Sequence, residues 1–140
     1  MRKKPLYALA VASAITAMAT PAQADCGTEG GYLYIWQSCV QEEVSGRPEN
    51  VCQVKEGTRD PQTVIITSNV LHDTGNNRRY PTSVFFDEAQ LQLNLTINGR
   101  ESSCHRSRQD AEDDLREYLA DQKRFWRGKV RFVSVRMPNT

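Results

Sequence analysis

Four cysteines, Cys26, Cys39, Cys52 and Cys104, are the feature that most restricts what this chain can become. All four follow an amino-terminal stretch with the marks of an export signal. Arg2, Lys3 and Lys4 give a positive start, Leu6 to Ala19 is an apolar run of 14 residues, and Ala22-Gln23-Ala24 is a small-x-small cleavage pattern. The run is too short to cross a bilayer comfortably, which argues against an uncleaved anchor. Asp25, directly before Cys26, is the wrong residue ahead of a lipid-modified cysteine. The expectation is a signal peptide over residues 1–24, cut near Ala24, and one exported domain over 25–140, periplasmic or secreted.

An even number of cysteines in a small exported domain reads as two disulfides. Three pairings are open. Cys26–Cys39 with Cys52–Cys104 is favoured: the first closes a local loop over Gly30-Gly31, and the second is a long closure that restricts the unfolded chain strongly. A zinc site is the rival reading. Such sites carry close ligand pairs, whereas here 12, 12 and 51 residues separate successive cysteines, and only His105 stands beside one. Adjacent strand residues point to opposite faces, so Cys104 and His105 cannot easily grip one ion. No metal and no other cofactor is expected.

The chain has a formal net charge of +1, with 39% hydrophobic and 25% charged residues. Those values fit one small globular domain and exclude a disordered chain or a multi-span membrane protein. A charge so near zero also argues against a dedicated DNA-coating protein. The part from Asp25 onward is 116 residues with 15 basic and 17 acidic side chains. It can bury a modest core. It holds no second apolar stretch of membrane-spanning length, so no stable membrane insertion is expected.

Tyr32, Tyr34 and Trp36 alternate after Gly30-Gly31, which predicts a strand, with a short helix over Ile35–Val44 as the competing reading. Val51–Lys55 reads as a second strand and Thr63–Leu71 as a third, rich in β-branched residues. Asp73–Pro81 is a polar loop, and Ser83–Asp87 a short strand. In Gln90–Ile97 the apolar Leu91, Leu93, Leu95 and Ile97 alternate with polar residues, which predicts a half-buried strand. Asn98-Gly99 then suits a tight hairpin. Pairing across it sets Leu93 opposite Cys104, on the apolar face, and His105 on the polar face.

Ser107 can cap a helix, with Asp110 three residues on. Acidic residues fill its first turn, Lys123, Arg124 and Arg127 its last, and Gly128 can stop it. Ala111, Leu115, Tyr118, Leu119 and Trp126 share one face. Val130–Met137, apolar at both parities, reads as a final strand inside the sheet. The fold expected is α+β: a curved antiparallel sheet of about five to seven short strands, with one long C-terminal helix on one face and a final strand, stapled by disulfides.

Two histidines, His72 and His105, could serve as an acid–base pair in a ribonuclease-like hydrolase, with Arg78 or Arg79 steadying phosphate. Two solvated surface histidines are the plainer reading, and no residue is assigned a catalytic role. No Gly-x-Ser-x-Gly and no phosphate-cradling glycine loop is present. Charge is unevenly spread. Residues 25–99 carry 5 basic and 10 acidic side chains, residues 100–140 carry 10 and 7, and Gln122–Arg136 is basic without an acid. Arg124, Arg127 and Arg131 in that run could meet an anionic ligand, against the plainer reading of helix-end cations and a solvated strand.

Three functions compete. The first is a protein-binding module such as an inhibitor, immunity or secretion-accessory protein, meeting a protein partner in the extracytoplasmic space. Its contact surface is the Asp73–Pro81 loop with Arg78, Arg79 and Tyr80, because arginine and tyrosine are favoured at interface hot spots. The second is the small secreted hydrolase. The third is a glycan- or receptor-binding toxin subunit using Tyr32, Tyr34 and Trp36 to stack on sugars, against the plainer reading of core packing.

Overall fold

The computed structural model describes residues 23–97 and 99–138. Most of the expected signal peptide, residues 1–22, lies outside the described residues, as does Asn98 of the expected turn. The elements run β1 (Gly31–Val40), β2 (Glu42–Val44), β3 (Gln53–Lys55), β4 (Thr63–Ser68), β5 (Leu71–Asp73), α1 (Pro81–Leu93), β6 (Glu101–His105), α2 (Arg108–Phe125) and β7 (Val130–Val135). The α+β class, the strand at Tyr32 and the long C-terminal helix are as expected. Ile35–Val40 extends that strand and does not turn into helix.

β1 organises the main sheet. β6 pairs along one edge and β4 and β5 share the other, all antiparallel. β7 pairs with β4 in parallel, so the sheet is mixed where an antiparallel one was expected. The chain leaves β4 and returns to β7 by way of both helices, a long crossover that brings β7 back in the same direction as β4. β7 has β4 as its sole strand partner, so it is an edge and not an interior strand. β2 and β3 form a separate parallel pair.

The expected strand over 63–71 is broken in two. Between the pairs Leu33↔Leu71 and Trp36↔Thr67, two residues of β1 face three of the other strand, Ser68, Asn69 and Val70. This is a β-bulge. The Ser68 hydroxyl accepts the Ile35 N–H at 2.9 Å, so the irregular backbone keeps a partner.

Alternation along β1 divides the core. Leu33 and Ile35, with Val64, Ile66 and Val135, meet Phe85 and Ala89 of α1. Tyr34 points to the opposite face, where Tyr32, Trp36, Leu115 and Tyr118 gather with Ala111 of α2. Each face therefore carries a helix, where the sequence suggested one covered face. Phe85, Leu33, Ile35 and Ile66 are fully buried. Each is worth about 1.5–3 kcal/mol relative to exposure.

Helix α1 overturns the largest expectation. Ser83–Asp87 and Gln90–Leu93 are helical, so no hairpin joins residues 90–97 to β6. The segment holds good helix formers and begins with Pro81, whose fixed φ suits a first turn. The Asp25 carboxylate, from far along the chain, accepts the Thr82 N–H and hydroxyl, both at 2.9 Å, and so caps the helix. Asn94 ends it in the left-handed region at φ 51°. Leu91 is 79% exposed, so the alternating leucines were a coincidence of spacing. Helix α2 follows its signals: the Ser107 hydroxyl accepts the Asp110 N–H, and Gly128 follows at φ 78°.

All four cysteines are disulfide-bonded, but as Cys26–Cys104 and Cys39–Cys52. The favoured pairing fails for a geometric reason. β1 is extended, so the eight steps from Gly31 to Cys39 carry Cys39 roughly 26 Å from the end beside which Cys26 lies. The register Leu33↔Cys104 brings β6 to that near end. The Cys26–Cys104 bond staples the amino-terminal segment to β6, with Cys104 exposed and not buried. The Cys39–Cys52 bond pins the β2–β3 pair to the far end of β1.

Candidate functional site

The loop after β5 is rigidly anchored. The buried Asp73 carboxylate accepts the Gly75 N–H at 2.8 Å and the Asn77 amide at 2.6 Å. The Asn77 side-chain oxygen in turn accepts the Thr74 N–H and hydroxyl. Gly75 sits at φ 79°, and a Cβ there would lie 2.2 Å from the Thr28 carbonyl oxygen. Only glycine fits that close approach.

Beyond this anchor the chain forms a cleft of about 400 Å³. His72, Arg78 and Arg79 stand at its rim, and Leu71, Val84 and Met137 supply an apolar floor. Arg79 reaches Asp87 of α1 at 2.7 Å, with both side chains more than half exposed. Such a pair is weak and easily exchanged. Arg78 makes no ion pair among the described residues. Tyr80 is 43% exposed and its carbonyl accepts the Ser83 and Val84 N–H groups at the start of α1. The structure thus brings Arg78 and Arg79 to one concave surface, with Tyr80 beside it in the chain.

The basic C-terminal run is divided. Arg124 pairs with Asp121 on the exposed side of α2. Arg127 takes a left-handed φ of 52° just after the helix. Arg131 lines a shallow groove with Val51, Leu91 and Leu93, a groove that neither Arg124 nor Arg127 shares.

A polar cluster lies where α2 crosses β1 and β6. Asp114 Oδ2 accepts the Tyr34 hydroxyl at 2.8 Å and the Ser103 hydroxyl at 3.2 Å, and lies 3.0 Å from His105 Nε2. Burial works against ionising Asp114, but the bonds from Tyr34, His105 and Ser103 outweigh it and hold its carboxyl below the ordinary value. Burial, with the Asp114 charge beside it, pushes the Tyr34 phenol up. The Tyr118 phenol is pushed up to about 12 by burial and by the Glu101 charge.

Ser103, His105 and Asp114 invite comparison with a hydrolytic triad, and the geometry does not support one. Ser103 Oγ lies 3.0 Å from the same His105 Nε2 that meets Asp114. A proton relay needs the carboxylate on one ring nitrogen and the nucleophile on the other. Ser103 also gives its own proton to Asp114. The arrangement fastens α2 to the sheet.

The two histidines are closer in the fold than in the sequence. His72 and His105 both lie in register with Tyr32, from opposite sides of β1. Directly paired residues share a face, so the three form a row. The Tyr32 ring stacks on His72 at 4.8 Å between centroids, and the Arg108 guanidinium lies 5.3 Å from its centroid. Tyr32 therefore stands between the histidines. His105 is half-buried and held by Asp114, not solvated as the sequence suggested. Tyr34 is 2% exposed, and Trp36 packs at 5.3 Å from both Tyr34 and Tyr118. That packing leaves little aromatic face for a sugar.

Among the described residues, no group of three His, Cys, Asp or Glu side chains is placed to hold a metal ion. No described helix is long and apolar enough to cross a membrane. No family model matches the chain, and neither a curated protein nor a solved structure matches it.

Proposed function

We propose that the chain is exported, processed after Ala24, and works as a disulfide-stabilised protein-binding module of the inhibitor, immunity or secretion-accessory kind. The observation that carries this reading is the cleft between β5 and α1. It combines an apolar floor with two arginines on a loop that a buried carboxylate and a close glycine contact hold in shape. A preorganised rim of that kind loses little freedom on docking. Arginine beside a desolvated apolar floor is a frequent anchor for partner binding. The partner is a protein in the extracytoplasmic space that offers a carboxylate next to an apolar side chain.

The test is affinity capture with the exported protein from an extracytoplasmic extract, followed by mass spectrometry. A partner retained by the native protein and lost by Arg78→Glu supports the reading. A partner retained equally by both places the interface elsewhere.

A hydrolase remains the second reading, on one observation: His72 and His105 share a face and flank Tyr32. RNA cleavage by the purified protein that disappears in the His72→Ala/His105→Ala double variant would favour it over binding.

A further inference from the structure

Asp73 is 0% exposed, and none of the ion pairs among the described residues includes it. Four N–H groups bond its two oxygens. Gly75 and Asn77 serve Oδ1, while the backbone nitrogens of Asp25 and Cys26 serve Oδ2 at 2.8 and 2.9 Å. Hydrogen bonds satisfy the carboxylate's geometry but leave a buried negative charge without a counter-charge, which is costly. The nitrogen at 2.8 Å belongs to the residue that follows the expected cleavage point. We infer that the Asp73 carboxylate is a binding site for the chain's own processed amino terminus. This inference rests on the proposed processing after Ala24.

Hydrolysis of the Ala24–Asp25 peptide bond by a signal peptidase consumes one water. It breaks the C–N bond and leaves a carboxylate on Ala24 and an ammonium on Asp25. The amide nitrogen that donates one proton to Asp73 becomes a cation at the same place. The surroundings hold it there. The Asp25 carboxylate is fixed on Thr82 of α1, and Cys26, the next residue, is tied to Cys104 of β6. A Cβ on Gly30 would meet the Asp73 carbonyl oxygen at 2.3 Å, so the amino-terminal loop and the Asp73 loop interlock. Cleavage gives up the contacts between Gln23 and Asn77, their antiparallel backbone bridge and the Asn77 amide on the Gln23 carbonyl at 2.9 Å, while Asn77 keeps its bond to Asp73. Processing thereby adds a salt bridge that the precursor lacks, and the mature fold is more stable than the precursor fold.

The pH dependence has a definite sign. An α-amino group titrates at about 7.7–8.0 when unperturbed, and an adjacent carboxylate raises that value. The added stability is complete below that range and is lost as pH rises through the raised folded value. The titratable groups facing the nitrogen are Asp73 on β5 and Asp25 itself. α1 contributes the Thr82 hydroxyl, the 74–80 loop the Asn77 amide, and β6 the disulfide-bonded Cys104.

The experiment exports the full chain, determines the product's mass, and compares its melting with that of a product carrying one extra alanine ahead of Asp25. The expected result is a product beginning at Asp25 that melts roughly 3 °C or more above the extended one at pH 7. That gap should close by about pH 10 and should be absent in the Asp73→Asn background. Should that variant fail to fold, acylation of the α-amine supplies the second reading, expected at least tenfold slower in the folded product at pH 7 than in urea. A product starting at Asp25 with no gap at pH 7, or an α-amine acylated equally fast in both states, overturns the inference and leaves the processing reading standing. A product beginning elsewhere overturns both.

Discussion

The Tyr34 hydroxyl lies 2.8 Å from Asp114 Oδ2, and through that bond the central strand β1 holds the long helix α2. Tyr34 is 2% exposed. Tyr34→Phe should cost about 1.5 kcal/mol in urea unfolding at pH 7, the low end for a hydrogen bond to a charged group, because the Asp114 carboxylate is partly exposed. Asp114 is held below its ordinary 3.8, so its share of stability is present above that pH and is lost as pH falls through the lowered folded value. The gap between native protein and variant should therefore narrow on acidification. An unchanged gap from pH 6 to pH 2 would contradict the role given to Asp114.

At the alkaline end the sign reverses. Tyr118 is pushed up to about 12 in the folded state, so the unfolded chain releases that proton first. Stability should fall as pH rises past 10, and phenolate absorbance from Tyr118 should appear only near about pH 12 or on unfolding. The Tyr34 phenol, also pushed up, acts with the same sign, so Tyr118→Phe should reduce the slope of the alkaline limb of a pH–melting curve and the Tyr34→Phe/Tyr118→Phe double variant should flatten it.

The disulfides span very different lengths, with sequence separations of 13 for Cys39–Cys52 and 78 for Cys26–Cys104. Replacing the short pair with serines should cost about 3 kcal/mol, and replacing the long pair more, toward about 4.7. Non-reducing peptide mapping should yield the Cys26–Cys104 and Cys39–Cys52 fragments. Recovery of a Cys26–Cys39 fragment would contradict the fold at β1.

Phe85 and Leu91 test the helix between them. Phe85 is fully buried and Leu91 is 79% exposed. Phe85→Ala should cost about 3–5 kcal/mol and Leu91→Ala no more than about 0.5. A strand over Gln90–Ile97 would make Leu91 the costly position instead.

Much of this architecture was legible from residues alone. Tyr32-Tyr34-Trp36 announced β1, and Ser107 with Gly128 bracketed α2, because these signals are local. The signals for α1, Pro81 at the first turn and Asn94 at the end, are equally local but weaker than the alternation of Leu91, Leu93, Leu95 and Ile97, which imitates a strand. The cap from Asp25 could not be read at all, since it comes from 57 residues away. The disulfide pairing failed for the same kind of reason, because it depends on which end of an extended β1 faces β6. At the proposed binding surface, Arg78, Arg79 and Tyr80 are legible as consecutive residues of one loop. The floor was not, as Met137 and Val84 reach it only through tertiary packing. The row His72–Tyr32–His105 needed strand register, which depends on pairings remote in sequence.

The proposed docking surface is the cleft between β5 and α1. The most direct measurement is the affinity of the captured partner for three proteins: the native chain, Arg78→Glu/Arg79→Glu, and Arg124→Glu/Arg127→Glu. At least a tenfold loss, about 1.4 kcal/mol, is expected for the first variant and little change for the second. Equal affinities across all three, or a loss confined to the Arg124 and Arg127 variant, would contradict it.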